Sequence, residues 1–358
     1  MEQTLLEYKC PSCGGALHFE SDIQKMKCPY CEAEIETEAL RQMDSLLEEE
    51  IPEEIVWENS AGGDWNGEEE KLCTYTCRSC GGQIVTDKTT AAAKCPYCGN
   101  NVVMAGNLSG VLRPDIVIPF KLKKDAAIEA YKKHLAGKIL LPRAFKEENH
   151  IESIKGVYVP VWMFDADAKG AFTFRATRVR RWSDSRFDYT RTSYYHVVRA
   201  GSLSFADVPV DGSAKMDDAL MESLEPYDMS KAVDFRTAYL AGYLADKYDV
   251  SAEESEQRAN SRIRNTTESA FASTVLGYTT VVPTSRRVGL TQGKTRYALC
   301  PVWLMTTRYQ GKNYLFAMNG QTGKFVGNLP IYMPAAIMCW AGITAAIGTV
   351  LSLLSLAF

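Results

Sequence analysis

The sequence predicts an α+β protein built from two small four-cysteine modules, an α+β body with two related strand units, and one apolar C-terminal helix. Three observations support this prediction. Four Cys-x-x-Cys pairs form two arrays of identical spacing, strand and helix patterns alternate from about residue 110, and the last 34 residues carry no charge. We place the parts at residues 1–34, 35–72, 73–108, 109–330 and 332–358, where 35–72 is an acidic helix and linker between the two modules.

The composition is that of an ordinary globular protein. Of the 358 residues, 46% are hydrophobic and 23% are charged, which excludes a fully disordered chain, a fibrous repeat and a polytopic membrane protein. The N-terminal sequence MEQTLLEYKC has neither the basic region nor the apolar region of a secretory signal peptide. We therefore expect a reducing compartment, in which paired cysteines bind metal rather than form disulfides.

The two cysteine arrays are copies of one module, each with the spacing C-x2-C-x14-C-x2-C and offset by 67 residues. The first four-cysteine module contains Cys10, Cys13, Cys28 and Cys31, and the second contains Cys77, Cys80, Cys95 and Cys98. Zn²⁺ prefers four tetrahedral thiolates, which two short Cys-x-x-Cys turns supply, so we predict two zinc ribbons with one structural zinc ion each. A reactive dithiol and a rubredoxin-like iron site are the alternatives. Glu32 follows Cys31, whereas glycine follows the second cysteine of the other three pairs, so the turn at Cys31 is expected to be looser.

The segment between the modules is strongly acidic. Residues 32–70 contain fifteen Asp or Glu and one basic residue, whereas the rest of the chain has a net charge of +10. The apolar spacing over 34–50 predicts a helix, and a solvated linker is expected after Pro52. Trp57 and Trp65 are unusual there, because disordered segments are poor in aromatic residues. Two hypotheses follow: a solvated linker, or a mask whose tryptophans pack on a basic surface of the same chain.

That basic surface is the stretch 175–199, which holds seven arginines, two aspartates and five interleaved aromatic residues. Arginine beside aromatic rings is typical of surfaces that bind phosphate, nucleic acid or acidic protein. The alternative is a solvated hairpin face. The candidate residues for an anionic partner are Arg175, Arg178, Arg180, Arg181, Arg186, Arg191 and Trp182.

The body shows an internal repeat. Val159-Pro-Val-Trp-Met163 recurs as Cys300-Pro-Val-Trp-Leu304, which predicts two related strand units. An edge strand is expected at 111–120 because of its two prolines, and a hairpin is expected at Asn319-Gly320. Helices are predicted at 125–134, 215–224 and 231–247, and a further helix is expected after Ser251.

No catalytic motif is evident. The stretch Gly289–Thr295 resembles a phosphate loop, but it has one residue too few between its glycines and we interpret it as a surface turn. The four histidines show no spacing typical of a catalytic triad. We therefore expect a protein that is not an enzyme and has no small-molecule substrate.

The C-terminal tail is long enough to cross a membrane. Residues 335–358 would extend about 36 Å as a helix, and a hydrocarbon core is about 30 Å thick. Arg308, Lys312 and Lys324 lie upstream, on the side expected to be cytoplasmic. The tail therefore predicts a single-pass transmembrane helix over 332–358. A buried C-terminal helix is the alternative, but it would show a polar face.

The order of these parts resembles the bacterial membrane-attached TFIIB-type zinc-ribbon-containing proteins. The segments that carry the resemblance span about residues 73–330: Ser79–Gly82, Lys94–Asn100, Val117–Leu122, Ile154–Trp162, Val208–Ser213 and Phe316–Lys324. The resemblance implies a protein of the cell membrane with partners similar to phage-shock protein A and to flotillin (SPFH) proteins. It also implies a role in an envelope-stress or membrane-maintenance module.

The sequence together with this resemblance favours a membrane-anchored cytoplasmic adaptor with two structural zinc ions. The alternative is a zinc-ribbon nucleic-acid-binding protein that uses the arginine-rich stretch. The ribbon alone does not distinguish these functions, since zinc ribbons bind nucleic acid in some proteins and protein in others.

Overall fold

The computed structural model describes residues 8–48, 55–88, 94–108, 110–142, 145, 154–310 and 312–357. Within them the chain is a mixed α+β protein with five α-helices, two four-cysteine clusters and one long apolar helix at the C-terminus. The predicted fold class is therefore confirmed.

The secondary structure alternates along the chain. The helices are α1 (Thr37–Glu48), α2 (Lys124–Leu135), α3 (Asp218–Leu224), α4 (Ala252–Ser273) and α5 (Met333–Ala357). The first strands are β1 (His18–Glu20), β2 (Lys25–Lys27), β3 (Glu34–Ile35), β4 (Trp57–Glu58), β5 (Leu72–Cys77), β6 (Gln83–Asp87), β7 (Val102–Asn107) and β8 (Ile116–Val117). The later strands are β9 (Lys155–Ser183), β10 (Asp188–Asp211), β11 (Val233–Asp234), β12 (Leu244–Asp246), β13 (Thr280–Tyr309), β14 (Lys312–Asn319) and β15 (Phe325–Gly327).

The chain forms two compact units whose residues interleave in sequence. The first unit comprises Met1–Ser60, Met163–Val210 and Ala252–Thr295, and the second comprises Ala61–Trp162, Asp211–Ser251 and Arg296–Phe358. The first four-cysteine module therefore lies in the first unit and the second module in the second unit. The long strands β9, β10 and β13 contribute residues to both units.

In the first unit, β1, β2 and β3 form a small antiparallel sheet beside the first four-cysteine module. β10 pairs with β9, and β4 pairs in parallel with β13 at Gly293 and Lys294. α4 buries Ser255, Ala259 and Ile263, which recur at the helical spacing of three to four residues. An apolar cluster joins the paired strands β9 and β10 to the chain directly after α4. Its buried members are Phe172, Phe174, Ala176, Val197 and Val275.

In the second unit, the sheet follows the order β11-β8-β13-β9-β12-β6-β5-β7, and β14 and β15 extend it from β13. The two copies of the internal repeat lie on the adjacent strands β9 and β13, and both tryptophans are buried. The Trp162 indole N–H donates to the Val250 carbonyl, and the Trp303 indole N–H donates to the Leu122 carbonyl. α2 packs on this sheet through Ala127, Tyr131 and Leu135, whose spacing of four residues places them on one face of the helix.

Most predicted elements of the body are present. α2 begins at Lys124, with Asp125 in its first turn, and α3 is capped by Asp217. α4 begins directly after Ser251. The hairpin at Asn319-Gly320 is confirmed by the pairing of β14 with β15 and by the hydrogen bond from the Asn319 N–H to the Lys324 carbonyl.

Three predictions about the body are wrong. Residues 231–247 are not a helix but contain β11, a 3-10 turn (Thr237–Leu240) and β12, because sheet pairing buries Leu244–Asp246. β8 is not an edge strand, because it lies between β11 and β13. The strand is only two residues long, Ile116 and Val117, and so contains neither Pro114 nor Pro119. Residues 289–295 are not a surface turn but part of β13, and Leu290 and Thr295 are buried.

The helix α5 is long and apolar enough to cross a membrane, and none of Met333–Val350 is buried within the chain. Large apolar side chains are exposed along it, among them Ile337, Met338, Trp340 and Ile343. A helix that packed into the core of a soluble protein would bury such side chains. The alternative of a buried C-terminal helix is therefore wrong for the described part of α5.

Candidate metal centres and the arginine-rich hairpin

Each four-cysteine module brings its four sulfur atoms together. Within each group the sulfurs all lie within 4.8 Å of one another. The closest pairs are 3.4 Å (Cys13–Cys28) and 3.6 Å (Cys10–Cys31) in the first module, and 3.5 Å (Cys77–Cys98) and 3.6 Å (Cys80–Cys95) in the second. Four thiolates about 2.3 Å from a tetrahedral metal ion would be about 3.8 Å apart. All eight predicted ligands are thus placed to hold two metal ions.

The local backbone explains this geometry. Each Cys-x-x-Cys turn, here termed a knuckle, has the same two backbone hydrogen bonds. The carbonyl of its first cysteine accepts from the residue four positions later, and the N–H of that cysteine donates to the carbonyl five positions later. The residue after the second cysteine has positive φ in all four knuckles, and Glu32 (φ 63°) takes this conformation as the glycines do. The knuckle that ends at Cys31 is therefore not looser than the others, and Glu32 carries a backbone strain of about 1 kcal/mol.

The two modules dock on their own units through opposite knuckles. In the first module, the knuckle Cys10–Cys13 is docked: its Pro11 carbonyl accepts from the Val198 N–H (2.7 Å), and its Ser12 carbonyl accepts from the Tyr278 hydroxyl (2.8 Å). In the second module, the knuckle Cys95–Cys98 is docked. The Thr306 hydroxyl lies 2.7 Å from the Pro96 carbonyl and 3.1 Å from the Tyr97 carbonyl.

The equivalent tyrosines of the two modules show the consequence. Tyr97 is 7% exposed and lies beside the carboxylate of Asp246, whose pKa burial raises to about 7. Ser213 donates a hydrogen bond to that carboxylate. Tyr30, at the same position of the first module, is 76% exposed. The duplicated sequence thus gives a knuckle that is buried in one copy and free in the other.

The pKa of the first cysteine of each knuckle follows the same division, whereas burial raises the pKa of the second cysteine of two knuckles, Cys13 and Cys80. In the free knuckles, burial disfavours the Cys28 and Cys77 thiolates, but hydrogen bonds from nearby backbone N–H groups outweigh it and lower the pKa of each thiol to about 7. In the docked knuckles, burial raises the pKa of the Cys10 and Cys95 thiols. A buried thiolate needs a compensating cation, so four such donors fit a thiophilic divalent metal ion.

The arginine-rich stretch forms a hairpin, and we use "arginine-rich hairpin" for residues 178–191, which end β9 and begin β10. The turn Asp184–Phe187 joins the strands, and the Asp184 N–H donates to the Phe187 carbonyl. The Asp184 carboxylate accepts hydrogen bonds from the backbone N–H groups of Arg186 and Phe187 and from the Tyr189 hydroxyl, which lowers its pKa. The Trp182 and Tyr189 rings stack with 5.4 Å between their centroids.

The seven arginines of the stretch fall into two groups. Arg178 lies between the rings of Tyr195 and Tyr278 and donates to the Gly277 carbonyl, and Arg199 donates to the Pro11 and Val198 carbonyls. These two arginines therefore hold the first unit together. The other five arginines are exposed, and no carboxylate among the described residues lies within ion-pair distance of them: Arg175, Arg180, Arg181, Arg186 and Arg191.

The acidic segment does not cover these arginines through its tryptophans. Trp57 is buried in the first unit, where its ring packs against Phe164 (4.9 Å) and over Gly293. Trp65 belongs to the second unit, where its indole N–H donates to the Val111 carbonyl and its ring packs against Phe235. Both hypotheses are therefore wrong for the tryptophans: Trp57 and Trp65 are packed rather than solvated, and the residues that they contact are not the arginines of the stretch 175–199.

We expect truncation of the buried Tyr97 and of the exposed Tyr30 to have very different effects on the free energy of unfolding. Tyr97→Ala would open a cavity beside Asp246 and lower the free energy of unfolding of the second unit by about 3 kcal/mol. Tyr30→Ala, the matched control, would change it by less than about 0.5 kcal/mol, since an exposed side chain loses few contacts. Denaturant unfolding of the full chain in detergent measures both, and equal effects of the two substitutions would contradict the docking asymmetry.

Comparison with known proteins gives one informative match. No family model matches the chain, and no solved structure matches it either. The chain is 35% identical over 352 residues to the uncharacterized protein YdjG of Bacillus subtilis (strain 168), and the match covers 98% of both chains. Such identity over the full length of both proteins shows common ancestry, and the chain therefore belongs to the family of YdjG.

Proposed function

We propose that this protein is a membrane-anchored cytoplasmic adaptor that is not an enzyme and that binds two structural zinc ions. The observation that carries the proposal is that each four-cysteine module is docked by one knuckle and leaves the other free. A closed four-thiolate site has no open coordination position, so its role is to organise a binding surface rather than to catalyse a reaction. The exposed apolar helix α5 supplies the anchor.

The first four-cysteine module offers the surface for a protein partner. In this module, Tyr30 of the free knuckle is 76% exposed, Phe19 of β1 is 54% exposed, and Ile23 in the turn between β1 and β2 is also exposed. Exposed aromatic side chains on a rigid scaffold are typical of protein-binding sites, because they bury large areas at a low entropic cost. The resemblance to TFIIB-type zinc-ribbon proteins suggests partners similar to phage-shock protein A and flotillin, and hence a role in envelope stress or membrane maintenance.

The partner proposal is tested with purified proteins. The full chain in detergent should bind a phage-shock-protein-A-like or flotillin-like protein of the same organism, and Phe19→Ser with Tyr30→Ser should weaken binding at least tenfold. The matched control replaces Val56 and Leu276 with serine, since both are apolar residues of the same unit and are more exposed than Phe19 and Tyr30. If neither protein binds, the proposed partners are refuted. If the control variant loses as much binding as the double variant, the proposed surface is refuted.

The identity of the metal is tested by elemental analysis. Purified protein should contain two zinc ions, because both four-thiolate sets suit tetrahedral Zn²⁺. Cys77→Ser and Cys10→Ser should each reduce the content to one ion, since a three-thiolate site binds less tightly. Cys339→Ser, a control outside both modules, should leave two. Iron in place of zinc would support the rubredoxin-like alternative, and an absence of metal would support the reactive dithiols.

The anchor is tested by truncation. Deletion of residues 332–358 should move the protein from the membrane fraction to the soluble fraction, because it removes α5, which is long and apolar enough to cross a membrane. The truncated protein should keep both metal ions, which shows that it is folded. Retention of the truncated protein in the membrane pellet at high salt would contradict a sole C-terminal anchor.

Nucleic-acid binding is the second candidate function, and the five exposed arginines of the stretch 175–199 favour it. Its signature would be an affinity for single-stranded oligonucleotides that falls steeply with salt, because each phosphate contact releases counterions. An adaptor that recognises an apolar protein surface would show little salt dependence.

A further inference from the structure

The tip of the arginine-rich hairpin combines exposed aromatic rings with unpaired positive charge. Trp182 is 50% exposed, Tyr189 is 38% exposed, and Phe187, in the turn itself, is 63% exposed. Arg180, Arg181, Arg186 and Arg191 surround these rings, and the structure places none of the described carboxylates within ion-pair distance of them. A folded protein rarely leaves such a cluster in water unless it contacts a partner.

The two acidic residues of the tip, Asp184 and Asp188, remain negatively charged, and their carboxylates are held by groups within the tip. Both oxygens of the Asp184 carboxylate accept hydrogen bonds from within the turn and from the Tyr189 hydroxyl. Asp188 accepts a hydrogen bond from the Ser183 hydroxyl. The four arginines of the tip outnumber its two aspartates, which leaves a net charge of +2 over residues 180–191.

The arrangement of the arginines distinguishes between anionic partners. Successive residues of a strand face opposite sides of a hairpin, so Arg180 lies on one face of β9 and Arg181 on the other. A nucleic-acid strand tracks along one basic groove and stacks its bases on free ring faces. Here the positive charge lies on both faces, and the Trp182 and Tyr189 rings cover each other. A lipid headgroup layer, in contrast, surrounds an inserted tip on every side.

We propose that the tip of the arginine-rich hairpin binds the surface of a membrane that contains anionic phospholipid. Trp182, Phe187 and Tyr189 enter the interfacial region, where tryptophan and tyrosine are preferred. Arg180, Arg181, Arg186 and Arg191 bind the phosphate groups around them, as basic residues do at anionic leaflets. This contact goes beyond the adaptor function and is independent of α5.

The test uses the full chain held by α5 in nanodiscs of phosphatidylcholine, to which separate liposomes are added. Liposomes with about 30% phosphatidylglycerol should carry the protein upward in a flotation gradient at low salt, whereas liposomes of pure phosphatidylcholine should not. Arg180→Gln with Arg191→Gln should weaken this binding about 25-fold, since each basic residue at an anionic surface contributes about fivefold. Lys123→Gln with Lys124→Gln, the control of equal charge, should change it less than about twofold.

A second measurement reports on the tip directly. A nitroxide-labelled lipid in the anionic liposomes should quench Trp182, and the quenching should disappear in Trp182→Phe, which leaves the other five tryptophans unchanged. Equal flotation with neutral and anionic liposomes, or flotation without quenching of Trp182, would overturn the proposal. Binding of a single-stranded oligonucleotide that is lost in the arginine double variant, without flotation, would assign the hairpin to nucleic acid. The flotation and quenching results do not depend on whether the chain binds the partner proteins proposed above.

Discussion

The pairing of β9 with β13 is the interaction on which the second unit depends. These strands carry the two copies of the Pro-Val-Trp repeat, and each tryptophan is buried with its indole N–H satisfied by a backbone carbonyl. β8 and β12 pair with the outer sides of β13 and β9, respectively, and α2 covers the sheet near Trp303. Because two large rings occupy the centre, the elements around them have little freedom to move. The docking site of the second four-cysteine module, with Thr306 on β13, is thereby fixed.

The duplicated four-cysteine module shows how one local structure is used in two ways. The four knuckles share the same backbone hydrogen bonds and the same positive φ, so their conformation is determined locally. What differs is the surface each meets: Tyr97 is buried beside Asp246, whereas Tyr30 is exposed. A duplicated module that is docked in two different orientations exposes two different surfaces.

The arginines of the stretch 175–199 also divide into a half-buried structural group and an exposed group. Arg178 and Arg199 are held by rings and carbonyls and stabilise the first unit, whereas the arginines nearer the turn remain exposed. The acidic segment supplies a partner for at least one arginine of the body, since Glu68 lies 3.4 Å from Arg113. Its two tryptophans pack with Phe164 and Phe235. The described part of the segment is thus built partly into each unit.

The sequence by itself determined the features that depend on local spacing. The eight cysteines, the face of α2, the turn at Asn319-Gly320 and the apolar helix α5 all follow from short-range patterns, because knuckles, helices and tight turns form from neighbouring residues. Tertiary structure decided the rest. The local pattern of residues 231–247 predicts a helix. In the folded chain, however, Val233 pairs with β8 and Leu244 pairs with β9, and this sheet pairing outweighs the local helical preference. The sequences around Tyr30 and Tyr97 are the same Cys-Pro-Tyr-Cys, so only the residues that each meets in the folded chain decide which one is buried.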